Sequence, residues 1–346
     1  MLEKHYGELP EGCKLCAKGQ KLVLFTTGIC PQNCIYCPLS PSKKNKDVTN
    51  FNECKSNKIK DLIKEVKLSG AKGAGITGGD PLAVLKRTIR YIRALKQNFG
   101  KKFHIHLYTS LALLSKENIS RLEKAGLDEI RVHPNILDKS LWFKINLLKN
   151  TKMKNGIEIP ALPKKEKEIL ELINFAKDKV EFFNINELEY AALKEKEYKS
   201  RNWQTTENYS IKNSEKTALN ILEKAKSLKI RIHYCSASFK DNVQFSERLK
   251  NYAKNAAKEF DVVTKEGTLL HGAVCPKNSS PKSLLALKTS LEKEFKNKLF
   301  FIDKNKQRIL CSPAIIRQVA KKFKNAAIVE EYPTRDQTEV YLEFLS

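Results

Sequence analysis

The stretch GICPQNCIYCPLS, Gly28 to Ser40, places Cys30, Cys34 and Cys37 within eight residues. The chain carries nine cysteines in 346 residues, so this crowding is a motif rather than chance. Three thiolates are one short of a closed tetrahedral site. With Pro31 and Pro38 stiffening a tight loop, they can hold three irons of a four-iron, four-sulfur cube. Two other readings use the same residues: a zinc knuckle lacking a nearby fourth ligand, and a cluster completed by a distant cysteine.

Working outward, short β-branched runs alternate with amphipathic helical patterns. The strand-like runs are Lys21–Thr27, Ala74–Thr77, Phe103–Thr109, Asp128–His133, Ile157–Leu162, Val180–Asn186 and Lys229–Cys235. Between them lie helical patterns at Ile59–Leu68, Val84–Phe99, Lys116–Ala125, Lys164–Lys179 and Ser214–Leu228. In the second of these, Ile89, Ile92, Leu95 and Phe99 recur at three and four, which makes one buried stripe. Strand–helix repetition of this kind predicts an α/β fold, a partial (β/α) barrel of six to seven parallel strands over residues 21–235. Ligands of such folds gather at the C-terminal ends of the strands. The cysteine triplet follows the first strand, GGDP the second and Glu187 the sixth, while His233 and Cys235 end the seventh. Residues 1–20 form an N-terminal extension with a Cys-x2-Cys pair, and 236–346 read as a smaller C-terminal α/β domain. The loop Ser40–Asp47 reads as mobile.

Composition narrows the class. No apolar run approaches the roughly 20 residues of a membrane span, and the N-terminus MLEKHYGELPEG lacks an apolar signal core. A cytoplasmic protein without membrane contact is expected, with its cysteines reduced. Against 39 acidic residues stand 64 basic ones, a net charge of +25. That field attracts polyanions, so RNA is a possible partner, although a lysine-rich proteome gives the same excess.

Cys30-x3-Cys34-x2-Cys37, with Tyr36 before the last cysteine, resembles the signature of the radical S-adenosylmethionine (SAM) superfamily. The stretches CPLS, GITGGDPL, FHIHLYT, FNINELE and HYCS are similar to an archaeal branch related to pyruvate formate-lyase activating enzymes. The resemblance implies a [4Fe-4S] cluster on Cys30, Cys34 and Cys37, with its fourth iron chelated by SAM. It implies an electron donor such as ferredoxin or flavodoxin, and hydrogen abstraction from a substrate. Tyr36 would lie near the adenine. Thr77, Gly78, Gly79 and Asp80 would stand where the superfamily's Gly-Gly-Glu element receives the methionyl ammonium, with Asp80 in place of the usual Glu.

Outside this core, Cys13 and Cys16 chelate one metal well at their spacing but need further ligands. Cys235, then Cys275 or His233, are the candidates, giving a second iron–sulfur cluster or a zinc site. A redox dithiol uses the same pair. Cys54 and Cys311 read as isolated thiols. His104 and His106 share one face of a strand. His133 and His233 end strands and are active-site candidates, His233 as a cofactor contact or a proton relay, and Glu187 is a candidate ribose or substrate contact, with a rim salt bridge as the plain alternative. The first function expected is radical modification of RNA, in particular of a tRNA base. The alternatives are an activating enzyme that makes a glycyl radical on a protein partner, a small-molecule radical enzyme, and an RNA-binding protein with a structural cluster.

Overall fold

The structure, a computed structural model, describes residues 4–276 and 279–345. The chain divides into two compact units, Met1–Lys67 with Ala71–Phe245, and Leu68–Gly70 with Ser246–Ser346. The N-terminal Cys-x2-Cys pair thus belongs to the first unit.

Seven strands form the centre of the first unit: β1 (Lys21–Phe25), β2 (Gly73–Thr77), β3 (His104–Ser110), β4 (Glu129–His133), β5 (Lys154–Pro160), β6 (Phe182–Asn186) and β7 (Ile232–Cys235). They lie side by side in chain order, each parallel to the next. Right-handed crossovers in that order put the connecting helices on one face. Among them are α2 (Ile59–Ser69), α3 (Leu85–Phe99), α4 (Lys116–Ala125), α5 (Glu166–Ala176) and α6 (Ser214–Ala225). Local chemistry sets their ends. Ser115 accepts a hydrogen bond from the Asn118 N–H at 3.1 Å to start α4, and Gly126, at φ 96°, ends it in the left-handed conformation.

The helix-facing side of the sheet is apolar. Leu22, Leu24, Ile105, Leu107, Ile130, Val132 and Ile157 are buried there in one core with Ile89, Ile92 and Leu95 of α3 and Leu122 of α4. Each such side chain contributes about 1.5–3 kcal/mol. The opposite face carries Lys21, His106, Arg131, Glu158, Asn184 and His233. A parallel sheet covered on both faces reads as continuous apolar runs; this one alternates because its second face lines a polar lumen. β1 and β7 do not pair with each other. Their outer edges pair instead with the short strands Asn50–Phe51 and His5–Tyr6, so the barrel is partial.

Two expectations change. The fifth strand starts at Lys154, because Lys154–Gly156 already pairs with Glu129–Arg131. Ser40–Asp47 is not a loose loop: the Lys43 and Lys44 N–H groups donate to the Ser40 carbonyl at 3.0 and 2.9 Å. The Gly28 N–H also donates to Lys46 O at 2.8 Å, and the Gly28 carbonyl accepts from the Asn45 N–H at 3.0 Å. Polar composition suggested mobility, but backbone pairing to the start of the cysteine loop fixes it.

The second unit is an antiparallel sheet in the order Phe301–Asp303, Arg308–Cys311, Leu269–Val274, Ala326–Glu331, Glu339–Phe344, with Val262–Val263 added on Leu269–Val274. Helices Pro281–Glu294 and Pro313–Val319 supply Leu284, Leu291, Ile316 and Val319 to its core. Beside that core, buried Arg308 bonds Asp303 at 2.9 Å and Glu331 at 2.5 Å.

Candidate active site at the strand ends

The turn after β2 is stitched to the chain leaving β1. The Gly79 N–H donates to Thr27 O at 2.7 Å and the Asp80 N–H to Ile29 O at 2.8 Å. That approach demands a bare backbone: a Cβ on Gly79 would lie 2.4 Å from Ile29 O. Thr77, Gly78, Gly79 and the triplet are therefore one assembly at the C-terminal end of the lumen. From α3, Arg87 grips Asp47 through two hydrogen bonds of 2.6 and 2.7 Å. Asp47 in turn accepts from the Thr27 hydroxyl at 3.0 Å, which closes the frame behind the loop.

Cys30, Cys34 and Cys37 are half-buried free thiols. Burial pushes the Cys30 thiol up to about 11 and raises Cys34, which favours the neutral thiol at both. Lys194, almost fully buried, reaches the loop between the cysteines and donates to Asn33 Oδ1 at 3.3 Å.

Tyr36 is buried and pinned. Its hydroxyl lies 2.9 Å from His133 Nε2, and His133 Nδ1 lies 2.8 Å from the Glu158 carbonyl. A carbonyl only accepts, so Nδ1 carries the proton and Nε2 accepts from Tyr36. Burial lowers the His133 pKa, in keeping with this neutral tautomer. Asp80 is committed inside the fold. Its Oδ1 accepts from the Leu82 N–H (3.0 Å) and Thr109 hydroxyl (2.8 Å), and its Oδ2 from the Ser110 N–H (3.1 Å) and hydroxyl (2.7 Å). Asp80 holds the turn, and its carboxylate is spoken for before a ligand arrives. Glu187 accepts from the Ala237 N–H at 2.9 Å, tying the end of β6 to the chain after β7.

Deeper in the lumen lies a polar network. Arg131 donates to Glu129 at 2.6 Å and to Glu158 at 2.8 Å. Glu158 also accepts from Asn184 and Asn186, each at 2.9 Å. His104 Nδ1 stands 3.1 Å from Lys21 Nζ, and burial brings Lys21 down to about 7. Burial raises the Glu129 carboxyl, but Arg131 and His104 outweigh it and hold Glu129 at about 2. Sequence reasoning singled out none of Arg131, Glu129, Glu158, Asn184, Asn186 or Lys194. The signal was present in DEIRVH, where Glu129, Arg131 and His133 alternate along a central strand.

The donor set fits a cluster with an adjoining organic ligand. Val23, in the middle of β1, is 41% exposed, and Ile29 beside Cys30 is 42% exposed. Among the described residues, no three Cys, His, Asp or Glu side chains converge tightly enough for a single metal ion. Cys30, Cys34 and Cys37 are thus spread wider than one ion requires. Cys13 and Cys16 lie on α1, the helix Glu11–Ala17, and are not brought together with Cys235 and His233 as a set of metal ligands; Gln244 links Cys16 to Cys235 through hydrogen bonds of 3.2 and 3.6 Å. Cys275 and Cys311 belong to the second unit, and Cys54 lies in the short strand Cys54–Lys55. No helix among the described residues is long and apolar enough to cross a membrane.

The family model described as "Radical SAM superfamily" matches residues 24–185. A Methanocaldococcus jannaschii protein described as "Putative glycyl-radical enzyme activating enzyme" is 40% identical over 98% of this chain and 93% of its own length. A Methanococcus aeolicus protein described as "Probable GTP 3',8-cyclase" is 30% identical over 40% of this chain and 45% of its own. Among solved structures, Escherichia coli coproporphyrinogen III oxidase, a radical SAM enzyme, matches at 12% identity and a TM-score of 0.28 over 99% of this chain and 77% of its own. The radical SAM methyltransferase TsrM of Kitasatospora setae matches at 11% identity and 0.38, over 59% and 44%. The motif, the parallel lumen with its strand-end assembly, and the near full-length relative agree: the chain belongs to the radical SAM superfamily, and is an enzyme that uses a [4Fe-4S] cluster and SAM.

Proposed function

We propose that this enzyme is an activating enzyme that abstracts a hydrogen atom from a glycine of a protein partner and leaves a stored backbone radical. The observation that carries the reading is the relative related over almost the whole of both chains and described as a glycyl-radical enzyme activating enzyme. This favours the second sequence-based expectation over the first, RNA modification, for which the +25 charge remains the main support. When bound, the cluster and SAM supply a carbon radical that takes the hydrogen atom.

The chain's own residues do the rest. Cys30, Cys34 and Cys37 would hold three irons, and the half-buried turn Gly78–Gly79 would receive the amino-acid end of SAM. Tyr36, fixed by His133, forms a wall beside it. Val23 and Ile29, 41% and 42% exposed, offer apolar surface beside the triplet. Arg131 and Glu158 keep the lumen floor rigid, with Asn184 and Asn186 as further donors. One electron per turnover comes from an outside reductant such as ferredoxin or flavodoxin.

The test is reduced, anaerobic enzyme mixed with SAM and a purified glycyl-radical enzyme encoded in the same genome. The reading expects a doublet electron paramagnetic resonance signal on the partner that needs Cys30, Cys34 and Cys37. A reaction that proceeds only with tRNA, in a salt-sensitive way, contradicts it and restores the RNA reading.

A further inference from the structure

The chain leaving β6 carries a buried lysine that has no part in the frame behind the cysteine loop. After Glu187 it runs through the short turn Ala192–Lys194 into the helix Glu195–Ser200. This segment returns to the triplet at two points. Tyr198 is buried where the Cys37 thiol acts on its hydroxyl, and Lys194 Nζ donates to Asn33 Oδ1 at 3.3 Å. Asn33 directly precedes Cys34, and the Lys194 charge acts on the Cys34 thiol in favour of the thiolate. The Lys194 side chain is 4% exposed, while that of its partner Glu197, 3.0 Å away, is 34% exposed. Lysine is rarely buried to this degree. The pairing with Glu197 does not require it, since a surface pair at this spacing forms as well. Nor does the bond to Asn33, because Lys44 donates to the same oxygen at 3.4 Å from a less buried position. What burial adds is a positive charge beside the cysteine loop that water and salt screen little.

We infer that Lys194 sets the reduction potential of the cluster on Cys30, Cys34 and Cys37, as a fixed positive charge that favours the reduced form. The inference rests on the triplet being the cluster's ligands. The potential of an iron–sulfur cluster follows its net charge and surroundings. Reduction brings one electron from an outside one-electron reductant and no proton, so the centre becomes one unit more negative. A nearby cation in a poorly hydrated position stabilises that form more than the oxidised one. Asp80 acts on Cys30 in the opposite sense, and the thiolates repel one another, so an added electron meets a negative field that Lys194 offsets. Glu197 cancels only part of this charge, because its carboxylate stands closer to solvent. Lys194 acts through space on the cluster, not as a ligand, and its effect falls on the electron-uptake step that precedes SAM cleavage.

The test is a mediated redox titration of the full chain with its cluster reconstituted anaerobically. The reduced cluster is read by electron paramagnetic resonance, and iron is counted per chain. At the potential that half-reduces the parent, Lys194→Met should lower the ratio of reduced to oxidised cluster about tenfold, which is about 59 mV for one electron, with iron per chain unchanged. Lys194→Arg should restore the parent ratio. Asn33→Ala keeps the charge and loses the bond, and should leave the ratio near the parent's. Glu197→Gln removes the counter-charge and should raise the ratio; it decides the matter if Lys194→Met takes up no cluster. An unchanged ratio in Lys194→Met with its cluster intact overturns the inference. So does an equal drop in Asn33→Ala, which would make the loop bond the cause, or a ratio that fails to rise in Glu197→Gln. A cluster that persists in the chain carrying Cys30→Ala, Cys34→Ala and Cys37→Ala overturns instead the reading of the triplet, and this inference with it.

Discussion

A single proton fixes Tyr36: the one on His133 Nδ1, held by the Glu158 carbonyl. It leaves Nε2 free to accept from Tyr36. Tyr36→Phe keeps the ring and drops the donor, orphaning a buried nitrogen. Its expected cost is about 1–3 kcal/mol in anaerobic urea unfolding, with iron per chain unchanged. Asp80→Ala strips four donors of their shared acceptor and should cost more, about 2–5 kcal/mol, with SAM affinity falling in parallel. Glu129 gives a pH signature. Its carboxyl is held at about 2 in the folded chain against an ordinary 4.5. A depressed carboxylate stabilises the fold above the unfolded value and loses that contribution as pH falls through the window down to about 2. The stability advantage of the parent over Glu129→Gln, measured by denaturant titration, should therefore be full above pH 4.5 and shrink on acidification below it.

At the scale of elements, the strand–turn–strand joint between β1 and β2 decides whether the triplet is presented at all. Gly79→Ala drives a methyl group against Ile29 O. It should retain far-ultraviolet helical signal while SAM cleavage falls at least about tenfold, a loss of about 1.4 kcal/mol or more in the barrier-lowering contact. In the second unit, Arg308 is the shared cation of two buried carboxylates. Arg308→Met removes the cation shared by Asp303 and Glu331 and leaves Glu331 with Lys306 at 3.3 Å, so calorimetry should show that unit destabilised by about 3–5 kcal/mol. The elements themselves were legible because their signals are local. Hydrophobic spacing of three and four marked α3, and β-branched runs marked the strands to within a few residues. The ordering of Ser40–Asp47 was not legible, since it rests on Gly28 and Lys46 pairing across eighteen positions.

Across the whole molecule, the same division holds between local and long-range information. The triplet, the glycine pair and the strand-end positions could be read from the sequence because a parallel β/α chain sends every strand end to one rim. The lumen network could not, because Arg131, Glu158 and Asn184 meet only through the register of three strands. Gln244 likewise reaches Cys16 across 228 positions and bonds Cys235 as well. The charge of +25 describes the surface field rather than the reaction, which is why it pointed to RNA while the near full-length relative points to a protein substrate. The central claim, that the hydrogen comes from a partner's glycine, is tested most directly by isotope transfer. A glycyl-radical partner labelled with deuterium at the glycine α-carbon is incubated with reduced enzyme and SAM, and the released 5′-deoxyadenosine is weighed by mass spectrometry. The account expects deuterium in that product and a collapsed doublet in the partner's radical signal. Unlabelled 5′-deoxyadenosine formed in full yield from the labelled partner would contradict it.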